Sequence, residues 1–196
     1  LSIVPVSTPL TTVVRVPGSK SLTNRLLAMA ALAQGTCCIH GVLHSDDVSV
    51  MLVALHQLGI STQWNSDGSL LVHGRGGVLE APSSPIYLGN AGTAARFITA
   101  MCALLPGDQH ATLTGSKRMQ ERPLRDLTAS LQANGVDIAF LGKADHFPIR
   151  IGGGLKGGEM SVASNVSSQF ISALLIAGSY AQQAIHLQCT GPIVSQ

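Results

Sequence analysis

The stretch "VPGSKSLTNR", residues 16–25, decides how this sequence is read. It sets two cations, Lys20 and Arg25, among small hydroxyl residues just before the apolar run "LLAMAALA". In a chain whose charged residues amount to only 11%, two positive groups at the mouth of a helix need a reason. A helix start carries unpaired N–H groups and a partial positive charge, so this mouth suits an anion, and a phosphate above all. Arginine grips phosphate or carboxylate oxygens in a fork, while lysine acts as a point charge. The structural alternative is a solvated first turn with Ser21 as its cap. "PGSK" is not a P-loop, because the G-x-x-x-x-G-K-[ST] spacing is absent.

The same pattern recurs twice. "SLTNRLLAMAALAQGTCCIHGV" from Ser21, "GTAARFITAMCALLPGDQHATLTGS" from Gly92 and "SSQFISALLIAGSYAQQAIHLQCTG" from Ser167 each open on small polar residues. Each runs on as an Ala/Leu-rich helix, breaks at a turn, and resumes as a short strand ending near glycine. Anchor positions Arg25, Arg96 and Gln169 are separated by 96 − 25 = 71 and 169 − 96 = 73 residues. So regular a period marks a repeated structural unit.

The first two copies share a second half. "DDVSVMLVALHQLGIS" from Asp46 and "RPLRDLTASLQANGVD" from Arg122 read as amphipathic helices closed by Gly59 and Gly135. Asp46 and Asp47 suit a first helical turn, and Pro123 suits the N1 position. Hairpins follow: "STQWNSDGSLLVHG", turning at Asp67-Gly68, and "DIAFLGKADHFPIRIGG". The unit is therefore β-α-β-α-β-β, and the fold class is α/β of the α+β kind. Repeat 1 is expected over about residues 15–80, repeat 2 over about 86–153 and repeat 3 over about 158–196. The third copy stops at Gln196 before its second helix, so the chain is expected to be a fragment. The first helix of each unit is apolar on nearly every face, which predicts three buried, near-parallel helices. The second helices should lie outside them.

Composition limits the rest. A net charge of +2 gives no basic stripe, which argues against nucleic acid as a partner. The apolar runs are too short to span a bilayer, so no membrane association is expected and the protein is expected in the cytoplasm. Cys37, Cys38, Cys102 and Cys189 form no CxxC pair and are read as buried free thiols. The seven histidines show no metal-ligand spacing.

If the units pack as symmetric copies, their first turns converge. "LGNAGTAAR", residues 88–96, then brings Gly89 and Gly92 for close backbone approach, the Asn90 amide, and Thr93 as a helix cap. "NVSSQF", residues 165–170, brings Ser167, Ser168 and Gln169 as uncharged donors and acceptors for a polyol or phosphate. "GSKRMQERP", residues 115–123, brings Lys117, Arg118 and Arg122 to the equivalent end of repeat 2. For each there is a plainer alternative: an ordinary strand-to-helix turn, simple N-capping, or a solvated charge run.

Taken together and in order, "PGSKSLTNR", "LGNAGTAAR", "GSKRMQERP" and "VSSQF" closely resemble the 5-enolpyruvylshikimate-3-phosphate synthase (EPSP synthase) family. Phe97 after Arg96 and the wording of "GSKRMQERP" look more like the synthase region of fungal-type pentafunctional AROM polypeptides. The resemblance implies one lobe of the enolpyruvyl transferase inside-out barrel, with an opening strand at residues 1–14 that pairs with a second, C-terminal lobe. It implies transfer of the enolpyruvyl group from phosphoenolpyruvate to shikimate 3-phosphate, with no cofactor and no metal. Lys20, Arg118 and Gln169 are thereby the expected catalytic residues. Lys20 and Arg118 resemble the family's contacts to phosphoenolpyruvate, and Gln169 the residue that touches both substrates. Ser21 and Arg25 look like ligands of shikimate 3-phosphate, and Ser167 and Ser168 like ligands of its phosphate. Gly92 resembles the backbone lying against phosphoenolpyruvate, on a turn shaped by Asn90 and Thr93. The family's acid/base Asp, Glu and Lys belong to the other lobe, so this chain alone is expected to be inactive. Two rivals remain: the enolpyruvyl transferase acting on UDP-N-acetylglucosamine, which carries Lys-Asn where this chain has Lys20-Ser21, and a non-catalytic binding lobe.

Overall fold

A computed structural model describes residues 5, 8, 9, 11–14, 16–163 and 167–191. The first unit runs α1 (Lys20–Leu32), β1 (Gln34–Ile39), α2 (Asp46–Gln57), β2 (Ser61–Trp64) and β3 (Leu70–Arg75). The second runs β4 (Ile86–Tyr87), α3 (Gly92–Cys102), β5 (His110–Thr114), the one-turn helix α4 (Lys117–Gln120), α5 (Arg125–Ala133), β6 (Ile138–Phe140) and β7 (Ile149–Gly152). The third runs β8 (Gly158–Ala163), α6 (Ser168–Gly178) and β9 (Ile185–Thr190). Of the expected opening strand, the described residues lie in no strand, and the others fall outside the described set.

Sheet order repeats with the units. β1-β3-β2 matches the β5-β7-β6 part of the sheet β4-β5-β7-β6, and the parallel pair β8-β9 matches the parallel pair β4-β5. In each of the first two units the second strand of the hairpin, β3 or β7, returns antiparallel to the strand after the first helix, β1 or β5. The β2–β3 turn is tied at Asp67, whose carboxylate accepts from the Ser69 N–H and hydroxyl at 2.9 and 2.6 Å. Those two bonds hold the Asp67 carboxyl below its ordinary range.

The second helices of units 1 and 2 end identically. Ile60 N–H donates to Leu55 C=O at 3.0 Å and Gly59 N–H to His56 C=O at 3.0 Å. Val136 N–H donates to Leu131 C=O at 3.1 Å and Gly135 N–H to Gln132 C=O at 3.0 Å. This is a Schellman cap, and it requires the left-handed φ of +83° at Gly59 and +94° at Gly135. A Cβ on Gly135 would lie 2.8 Å from the flexible end of Lys156 and 3.3 Å from the Gly154 carbonyl oxygen. Gly135→Ala is therefore expected to cost at least the left-handed penalty, about 1–2 kcal/mol, in urea unfolding. A neutral substitution would mean that the cap is not formed.

Helices α1, α3 and α6 pack against one another, α2 lies against α1 and α3, and α5 against α3 and α6. Of these three central helices α3 is the one buried all round, from Thr93 to Cys102. α1 and α6 depart from the expectation of fully buried helices: Leu22, Met29 and Leu175 are 56%, 54% and 49% exposed. The reason is positional, because α3 is flanked by both second helices while α1 and α6 each face only one. Pro123 is not at N1. Ser116 caps α4, that short helix takes up "KRMQ", and α5 starts only at Arg125. The thiols also divide: Cys102 is buried and pushed up to about 12 by desolvation, while Cys38 and Cys189 are exposed. Among the described residues no helix is long and apolar enough to cross a membrane.

Candidate active site

The cap of α1 is Ser19, not Ser21: its hydroxyl accepts from Leu22 N–H at 3.4 Å. Lys20 and Ser21 therefore begin the helix as exposed first-turn residues. Lys20 Nζ lies 3.4 Å from Asp47 Oδ1, on the first turn of α2. Both side chains are partly exposed, so screening keeps the pair weak, and the lysine charge remains accessible.

Arg25 ties two helix starts together. Its Nε and one Nη donate to Ser172 Oγ on α6 at 3.2 and 3.1 Å, and the other Nη donates to Ser21 C=O at 3.1 Å. Ser172 lies one turn after Ser168, whose carbonyl accepts its hydroxyl at 3.0 Å. Ser167 caps α6, its hydroxyl accepting from Gln169 N–H at 3.2 Å. Lys20, Ser21 and Arg25 are thus brought to the same end of the α1–α6 pair as Ser167, Ser168 and Gln169.

The repeat also governs the aromatic contacts. The Arg25 guanidinium lies 5.6 Å over the ring of Phe97, and that of Arg96 lies 5.8 Å over Phe170. In each case the anchor arginine of one unit covers the phenylalanine that follows the anchor of the next. This stacking carries the chain of contacts from α1 through α3 to α6.

The α3 mouth is built differently. Its N-cap is Ala91, with no side-chain cap, and Thr93 is buried in the first turn, which corrects the expectation that Thr93 caps the helix. Asn90 is exposed and its Oδ1 accepts from Ser116 Oγ at 2.8 Å. With Ser116 N–H on Gly89 C=O at 3.0 Å, this bond joins the 88–92 turn to the 115–122 loop. That loop presents Arg118, exposed and without an ion pair among the described residues, beside the turn that holds Gly92. Arg96 is 8% exposed, and its Nη1 donates to Gly92 C=O at 2.8 Å. Desolvation, with the nearby Arg122 charge, pulls its guanidinium down to about 10, so it stays charged at neutral pH.

Sequence reading missed three of these contacts: Lys20 to Asp47, Arg25 to Ser172, and Arg96 to the Gly92 carbonyl. Ser172 stands in the recognised helix one turn beyond Ser168, which was a usable signal. The other contacts cross between elements and leave no trace in spacing.

Cations and hydroxyls thus stand together at the starts of α1 and α6, in a mixed fold of helices and sheets built from repeated units. The chain matches the profile of the family described as EPSP synthase (3-phosphoshikimate 1-carboxyvinyltransferase) over residues 4–195, and it belongs to that family. It is 49% identical over 181 residues to the pentafunctional AROM polypeptide of Yarrowia lipolytica, covering 89% of this chain and 12% of that one. It is 46% identical over 187 residues to the corresponding polypeptide of Kluyveromyces lactis, covering 91% of this chain and 12% of that one. The structure of EPSP synthase from Acinetobacter baumannii superposes with a TM-score of 0.79 at 30% identity, covering 90% of this chain and 40% of that chain. The chain thus spans about an eighth of the fungal relatives' length and 40% of the solved synthase.

Proposed function

We propose that this chain is the shikimate-3-phosphate half-site, and part of the phosphoenolpyruvate site, of an enzyme that transfers the enolpyruvyl group in aromatic amino acid biosynthesis. The observation that carries the reading is the Arg25 link between the starts of α1 and α6. It supports a single pocket in which Ser21, Arg25, Ser167, Ser168 and Gln169 hold shikimate 3-phosphate. Lys20, Arg118 and the Gly92 backbone, on the turn shaped by Asn90 and Thr93, take phosphoenolpyruvate.

In the reaction the substrate hydroxyl adds to C2 of phosphoenolpyruvate while C3 gains a proton. The tetrahedral intermediate then loses inorganic phosphate, with return of the C2–C3 double bond and loss of a proton from C3. The residues of this chain bring two anions together: fixed cations and helix starts offset the repulsion between substrates and hold the reacting atoms in range. Proton transfer needs groups of suitable pKa. Those are assigned to a C-terminal lobe, in a cytoplasmic enzyme. UDP-N-acetylglucosamine is less well served, since Ser21 stands where the transferase acting on it carries Asn.

Titration of the chain with shikimate 3-phosphate, followed by amide NMR, tests the reading. Shifts centred on Ser21, Arg25, Ser167, Ser168 and Gln169 are expected. No shifts at millimolar ligand would overturn the half-site in the lone chain. Addition of the C-terminal half of a relative should then restore turnover if the chain is an enzyme half, and should not if it only binds.

A further inference from the structure

We propose that Arg122 is a positioning residue of this site: its guanidinium fills the space a side chain on Gly92 would occupy, holds the 88–92 turn there, and lends that turn a fixed positive charge. The inference rests on the reading just given. A Cβ placed on Gly92 would lie 2.5 Å from Arg122 Nη1 and 3.1 Å from Arg96 Nη1, so two guanidiniums flank one glycine. Arg96 reaches it from within α3 and donates to the Gly92 carbonyl. Arg122 reaches it from the loop after α4, which the Ser116–Asn90 bond fastens to the same turn.

Nothing else accounts for that placement. Among the described residues neither arginine forms an ion pair, and the Arg122 guanidinium donates no hydrogen bond. Arg122 is half-buried, and its charge is felt by the buried Arg96. Two like charges without a carboxylate between them repel, and an anion bound at the turn relieves that repulsion. The glycine is then needed for a reason beyond backbone freedom: any larger residue evicts Arg122. Its nearest obstacle is the far end of a flexible side chain and not backbone, so Gly92→Ala should displace the arginine and leave the fold intact.

The test is a double-mutant cycle in the full-length polypeptide, with steady-state turnover against phosphoenolpyruvate and calorimetric binding of phosphoenolpyruvate in the presence of shikimate 3-phosphate. Arg122→Ala is expected to raise KM for phosphoenolpyruvate about tenfold, with kcat within about threefold, as loss of a charge-assisted interaction made equally in ground and transition states predicts. Gly92→Ala should do the same by eviction. The double variant should therefore be no worse than the weaker single variant by more than about twofold. Arg122→Lys should recover part of the loss, and Arg122→Gln stands in if the alanine variant does not fold. Multiplying effects, to about a hundredfold, would mean that Gly92 acts without Arg122 and would overturn the proposal. An unchanged KM in both Arg122→Ala and Arg122→Gln would overturn it too. A wild type that neither binds nor turns over would instead sink the functional reading beneath it.

Discussion

Replacing Phe97 by alanine is expected to lower the unfolding free energy by about 3–5 kcal/mol, the usual cost of emptying a buried aromatic site. Phe97 is 1% exposed, on α3, which is buried from Thr93 to Cys102. The loss is large against the roughly 5–15 kcal/mol that holds a domain together. The cation-π contact adds to it, because the ring also carries the guanidinium of Arg25. Urea unfolding of the chain measures the loss directly, and Phe97→Leu, which keeps much of the volume, should fall between. A change below about 1 kcal/mol for the alanine variant would show that α3 is not the centre of the core.

The largest effect on binding is expected at Arg25. Arg25→Ala should weaken shikimate 3-phosphate binding by about ten- to a hundredfold, since bonds to a charged group are worth about 1.5–3 kcal/mol. The effect has two sources: a cation is lost from the site, and the fork that holds Ser172 to α1 is lost with it. Arg25→Lys keeps the charge but cannot make the fork or stack flat on Phe97, so it should recover little. Calorimetric titration of both variants separates the sources. Wild-type affinity in the lysine variant would show that charge alone matters, and that the α1–α6 link has no part in binding.

Much of this architecture is legible in the sequence, for identifiable reasons. The spacing of Arg25, Arg96 and Gln169 reflects a unit that must present the same apolar helix to the same neighbours each time. Gly59 and Gly135 are legible because a helix end that needs a left-handed residue selects glycine. Asp67-Gly68 is legible because its turn uses side-chain bonds to its own backbone. What is not legible is decided by competition or by tertiary packing. Ser19 and Ser21 are both good caps, and only the path of residues 16–19 selects the first. "KRMQERP" could have opened a single long helix, but Ser116 caps a separate turn and shifts the helix start past Pro123. The seat of Arg122 over Gly92 joins residues thirty apart, through a loop contact that no local pattern encodes.

The unequal exposure of the three central helices has a practical side. Between α1 and α6 runs an apolar groove of about 360 Å³, lined in part by Met29, Leu175 and Tyr180, and Leu22, one heptad before Met29, is exposed near the start of α1. Greasy surface of this kind, on a chain whose net charge is only +2, offers little electrostatic resistance to self-association. Light scattering by the isolated chain should accordingly rise with concentration and with salt, and glutamates at Met29 and Leu175 should suppress it. The end of α1 and α6 that carries Lys20, Arg25 and Ser167 should be untouched by that change, so a sample kept monomeric in this way remains suitable for every titration described above.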